Sequence, residues 1–186
     1  MGWLFSVRFN AIIAIILFAA LSRMLPHPPN FTAIGAMALF AGAFLPIAIA
    51  WFVPVAAMIV SDLVINNTVY ADFYNQFVWA TPGAAWSMLA VALIAVLGSK
   101  LLAKVSLPRM LGASLSASLV FFLVSNIGSW LTLDIYPNTA SGLITAYIAA
   151  IPFFGNTVLG DMFFCAILFG GFALMPSRWR SFNVSA

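Results

Sequence analysis

Charge is scarce in this sequence. Charged residues make up 6% of 186, against about 25% in an ordinary soluble domain, while hydrophobic residues reach 65% and the mean hydropathy is +1.13. A water-soluble fold is excluded. Histidine and cysteine occur once each, at His27 and Cys165, which rules out a multi-histidine metal site, a disulfide framework and any paired-cysteine metal motif. No metal and no cofactor are expected. Cys165, alone in an apolar run, reads as packing. The phosphate-binding pattern G-x-x-x-x-G-K-S/T, the zinc-protease pattern H-E-x-x-H and the nucleophile pattern G-x-S-x-G are all missing, so the chain carries no ATPase of its own and no catalytic residues are assigned. The net charge of +3 is distributed as orientation signals rather than as a nucleic-acid footprint, and no nucleic-acid partner is expected.

What remains is apolar and long. Runs of about 20 residues match the length a helix needs to cross about 30 Å of hydrocarbon, and the short alternation of a transmembrane barrel is not seen. The expectation is an all-α, polytopic membrane protein, a single transmembrane domain with the lipid bilayer as its surroundings. About six spans are read: 9–25, 32–46, 47–66, 83–103, 109–131 and 156–175. The first has no small-x-small cleavage site before Arg23 and is read as retained. The final apolar region, 143–175, is too long for one crossing, and Pro152, Gly155 and Asn156 divide it into a short surface or re-entrant helix, 143–151, and the sixth span. Arg8, Lys100, Lys104, Arg109, Arg178 and Arg180 then share one side of the membrane. By the positive-inside rule that side is the cytoplasm of a plasma (inner) membrane protein, with both termini there.

Arg23 alone opposes this bias, and all four acids, Asp62, Asp72, Asp134 and Asp161, gather toward its side. Arg23 belongs to Arg23-Met24-Leu25-Pro26-His27-Pro28-Pro29-Asn30-Phe31, a polar, proline-rich break that no helix crosses. With it at one depth stand Asp62 and Asn66 on the third span, Asn126 and Trp130 on the fifth, and Asn156 and Asp161 on the sixth; the first two pairs are spaced i,i+4 and so share a helical face. Ionisable groups inside a bilayer are expensive and normally face a bundle interior or a wet cavity. The candidate substrate-binding residues are therefore Arg23, His27, Asn30, Asp62, Asn66, Asn126, Trp130, Asn156 and Asp161. Structural alternatives compete: Asp62 pairing with Arg23, Asn126 or Asn156 bridging helices, His27 serving a turn, Trp130 belonging to an interfacial belt. Ala38/Gly42 and Ala113/Ala117 permit close helix approach.

The break from Arg23 to Phe31, the strings Ala36-Met37-Ala38-Leu39-Phe40-Ala41-Gly42 and Val53-Pro54-Val55-Ala56-Ala57-Met58 with Ser61-Asp62-Leu63, and the run Ile151-Pro152-Phe153-Phe154-Gly155-Asn156-Thr157-Val158-Leu159-Gly160-Asp161 resemble an uncharacterised bacterial membrane-protein family. That family in turn looks like the substrate-binding S-components of energy-coupling-factor (ECF) vitamin transporters. The resemblance implies a six-helix bundle, a vitamin-like ligand bound at the extracellular side, and a transmembrane coupling subunit with two ATPases as partners. The Ala-x-x-x-Ala pattern frequent in the first helix of S-components is replaced here by Ala11-Ile12-Ile13-Ala14. A solitary transporter, for cobalamin for example, stays open on that account. So do an intramembrane enzyme pairing His27 with an aspartate, and a scaffold subunit. A small-molecule transporter is the expected function, with Asp161→Asn and Arg23→Ala expected to abolish ligand retention and spare folding.

Overall fold

The computed structural model describes residues 7–176, and every regular element in them is a helix. Arg178 and Arg180 lie outside the described residues. In chain order the helices are α1 (Val7–Ser22), α2 (Ile34–Phe44), α3 (Ile47–Ala50), α4 (Phe52–Thr68), α5 (Ala71–Tyr74), α6 (Ala84–Leu101), α7 (Leu107–Thr132) and α8 (Ala140–Leu174). Trp51 keeps right-handed helical dihedrals between α3 and α4, so the two run together as one apolar rod, Ile47–Thr68. Pro54 falls in the first turn of α4 and lacks the amide hydrogen that would reach back to the carbonyl of Ala50, the last residue of α3.

Helices form at all the apolar segments read from the sequence, but four stretches are by themselves long and apolar enough to cross a membrane: Ile47–Thr68, Ala84–Leu101, Leu107–Thr132 and Ala140–Leu174. α1 and α2 are apolar yet shorter. With 11 residues, α2 is about 16 Å long at 1.5 Å per residue, roughly half the hydrocarbon thickness. It is also buried on every side from Ile34 through Gly42, packed against α1, α4, α6, α7 and α8. It is the axle of the bundle. Gly42 lets α2 lie against the α6 backbone, since a Cβ there would overlap the Ala95 carbonyl oxygen. Ala113 and Ala117 are buried on α7 in the same way. At the far end of α2, Phe40 packs edge-on against Phe169 and Phe172 of α8, with ring centroids 5.2 and 5.5 Å apart.

The expected division of the last apolar region does not occur. Residues 143–151 are no separate surface or re-entrant helix: α8 is continuous for 35 residues, with Pro152 inside it. Thr139 opens this helix by accepting the Gly142 amide at 3.2 Å. Unpaired backbone groups are costly in an apolar phase, so the chain keeps the helical bonds on either side of the one the proline removes. Asn156, read from sequence as a breaker, sends its amide elsewhere: Nδ2 donates to the Pro29 carbonyl at 3.0 Å. The exposed residues Ile144, Ile148, Ile151, Leu159, Phe163 and Ile167 give α8 an apolar outer face.

A polar cavity at one end of the bundle

α1 and α4 end, and α2 and α6 begin, at the same end of the bundle, so the polar residues clustered at those termini meet there. The loop after α1 is held down on α8. Asn156 grips Pro29, and the Phe31 ring packs on Phe163 and Phe164 at 5.6 and 5.9 Å. Asn30 takes the left-handed conformation with φ of 63°, which asparagine tolerates better than most residues. The result is a cavity of about 250 Å³ whose wall includes Arg23, Asn30, Asp62, Asn66 and Asp161.

Arg23 is committed within the protein. Its guanidinium donates to Asp62 Oδ1 at 2.5 Å, to the Ser61 hydroxyl, and to the Met58 carbonyl at 3.5 Å. The pair is mostly withdrawn from solvent, with side-chain exposures of 11% and 23%. The basic residue that opposed the orientation bias is thus neutralised by the acid on the neighbouring helix, the structural alternative open to Asp62 in the sequence.

Asp161 is committed elsewhere. It is 2% exposed and faces the first turn of α2, where the Gly35 and Ala36 amides donate to its carboxylate and Ser118 of α7 donates to Oδ2 at 2.6 Å. The N-cap residue of α2, Ala33, has no side chain able to cap. Asp161 therefore caps α2 from another helix, combining orphan amides with the positive end of the helix dipole. Gly35 is what allows it: a Cβ there would occupy the position of the carboxylate.

Asn66 differs from both. It is 7% exposed and lines the cavity one turn beyond Asp62, yet its carboxamide makes no hydrogen bond to any described residue. The second oxygen of Asp62 likewise has no partner among the described residues. Asn66 is not among the sealed, unpartnered polar groups of the described residues: its carboxamide faces the cavity with its hydrogen-bonding capacity unspent by the protein.

The remaining candidates separate. Asn126 borders a second compartment of about 340 Å³, which shares Asn30, Ser87, Phe121 and Thr157 with the first, while its Nδ2 donates to Phe122 at 2.7 Å. Trp130 donates to the Pro137 carbonyl at 2.9 Å and ties down its own loop. His27 is exposed, with Nδ1 3.0 Å from the Pro28 carbonyl oxygen, and no hydrogen bond joins it to an aspartate. Asn156 positions the loop rather than the cavity wall. The sequence did not single out Gly35, Ser118 or the hydroxyls of Thr32, Thr81 and Ser87. Only Ser118 carried a local signal, its i,i+4 spacing from Ser114 beside the small-residue stripe of α7.

No curated protein and no solved structure matches the chain. On a match over residues 4–183, the chain belongs to the family of unknown function DUF6580.

Proposed function

We propose that this chain is a multi-pass plasma-membrane protein that captures a small polar molecule in the Asn66 cavity as the binding step of transport. The observation that carries the proposal is the Asn66 carboxamide, on a buried residue, open to a walled cavity and without a hydrogen-bond partner among the described residues. Arg8, Lys100, Lys104 and Arg109 lie toward the opposite end of the bundle, at the start of α1, the end of α6 and the start of α7. The positive-inside rule then puts the cavity at the extracytoplasmic face, where an importer would load. The resemblance to S-components of ECF vitamin importers agrees with that position and supplies the finer assignment: a vitamin-like substrate, with energy from a coupling subunit and ATPases or, without them, solitary transport. Arg23 and Asp161 act in this scheme as supports, the first fixing α1 to α4 and the second fixing α8 to α2.

The test is mass spectrometry of small molecules released on denaturing the gently purified full chain. Wild-type protein is expected to release a defined species that Asn66→Leu protein lacks, and cells expressing the wild-type chain are expected to accumulate that species. Identical release profiles from both proteins would sink the proposal.

A further inference from the structure

Resting on the Asn66 cavity as a binding site, we infer that it selects net-neutral molecules with adjacent hydrogen-bond donor and acceptor atoms, the edge presented by a lactam, a ureide or a pyrimidine-type ring. Asn66 presents a carbonyl oxygen and an NH₂ side by side, and a primary carboxamide pairs in two-point fashion with an edge that offers one donor and one acceptor. Asp62, one turn earlier, adds an unpartnered acceptor oxygen for a further N–H. The hydroxyls of Thr32, Thr81 and Ser87 line the same cavity and make no hydrogen bond to any described residue.

Charge is what the cavity does not offer. The one cation in its wall, Arg23, is matched by Asp62, and its Nε is sealed from solvent. An anion placed here would shed its water against no free positive group, which is strongly unfavourable. A cation is disfavoured for a related reason: Asp161 spends its oxygens on α2 and Ser118, and Asp62 already has its counter-ion. A neutral molecule meets no such penalty and can satisfy the open amide and hydroxyl groups. At about 250 Å³ the first compartment is smaller than the roughly 300–1,000 Å³ usual for a drug-sized ligand, so it takes one ring. Any extension passes Asn30 and Phe121 into the second compartment, where Phe122, Tyr136 and Phe153 offer aromatic surface.

The experiment is a thermal-shift titration of the full chain in nanodiscs with small probes: pyrrolidinone and uracil, which carry the donor–acceptor edge, N-methylpyrrolidinone, whose donor is blocked, and acetate, phosphate and methylammonium. Pyrrolidinone and uracil are expected to raise the midpoint, with pyrrolidinone effective at about tenfold lower concentration than its N-methyl counterpart, the scale of one well-placed hydrogen bond. Asn66→Leu should remove the response. Asn66→Asp, which keeps the shape but loses the NH₂, should weaken it. Equal response to the N-methylated probe, an undiminished response in Asn66→Leu, or no response to either edge-bearing probe overturns the selectivity. A phosphate, acetate or methylammonium response that Asn66→Leu abolishes overturns neutrality but leaves the cavity as a binding site. Silence from every probe, together with no molecule released from purified wild-type protein, overturns both.

Discussion

Asp62 and Asp161 carry the same sequence signature, a lone carboxylate in an apolar helix, and the structure gives them different work. Asp161 lies deep, at 2% exposure, with its oxygens shared among the amides of α2 and the hydroxyl of Ser118. Asp62 lines the same cavity, answers Arg23 with one oxygen and leaves the other without a partner among the described residues, beside a carboxamide that has none among them either. The difference teaches how to separate structural from functional polarity in a membrane bundle. Rarity and depth are common to both; what distinguishes them is whether hydrogen-bonding capacity remains unspent facing a void.

Substitutions can break this contrast, and the largest effect is expected at the saturated site. Asp161→Leu orphans the Gly35 and Ala36 amides, each worth about 1–3 kcal/mol when buried, while the Ser118 hydroxyl falls back on the Ser114 carbonyl, so a loss of about 2–5 kcal/mol is expected, read as failure to recover folded, monodisperse protein. The sequence-based expectation that folding is spared concerns the milder Asp161→Asn, which keeps an acceptor oxygen for the α2 amides; an Asp161→Leu protein as stable as wild type would show that the cap matters little. Next comes Gly35→Ala, whose added methyl displaces the same carboxylate; about 2–3 kcal/mol is expected, measured by denaturant or thermal unfolding in bicelles.

Asp62→Leu with Arg23 intact should cost about 2 kcal/mol, because it leaves a largely buried guanidinium uncompensated. Removing both charges with Arg23→Met and Asp62→Leu should recover most of that loss, and a double-mutant cycle showing no coupling would contradict the pairing. Asn66→Leu should change stability by less than about 1 kcal/mol, in either direction, since no protein partner is lost. Binding to the cavity should nonetheless vanish, and this split between stability and binding sharpens the contrast with Asp161. His27→Ala, exposed and bonded only within its loop, should stay within about 0.5 kcal/mol by the same unfolding measurement.

Much of the helical layout was legible in advance because an apolar run of given length has few options in a bilayer. The segment read as 83–103 is α6, Ala84–Leu101, and that read as 109–131 is α7, Leu107–Thr132. Two features were not legible. Pro152 and Asn156 signal a break by local chemistry, but their cost depends on what surrounds them: the apolar setting favours retaining the helix, and Pro29 occupies the Asn156 amide. The shortness of α2 is visible as Leu45-Pro46-Ile47, whereas its burial on all sides depends on which helices surround it.

The candidate residues divide for the same reason. Spacing placed Asp62 and Asn66 on one face, and the structure sets both in one wall. Spacing also paired Asn126 with Trp130, but a shared helical face says nothing about which neighbouring carbonyl each side chain finds, and theirs are Phe122 and Pro137. His27 stands in the decisive loop and points away from its use.

Composition and run length alone determined that this chain is a helical bundle suited to a membrane, because hydropathy and helix rise are local properties that each segment carries with it. Which polar residues are spent and which are open was decided only by the fold. A hydrogen bond needs its partner within about 3 Å, yet Ser118 lies 43 residues from Asp161, Ser61 and Asp62 lie 38 and 39 residues from Arg23, and Pro29 lies 127 residues from Asn156. Asn66 became the informative residue for the complementary reason: folding brought many polar groups to its end of the bundle, and none of the described residues is its hydrogen-bond partner.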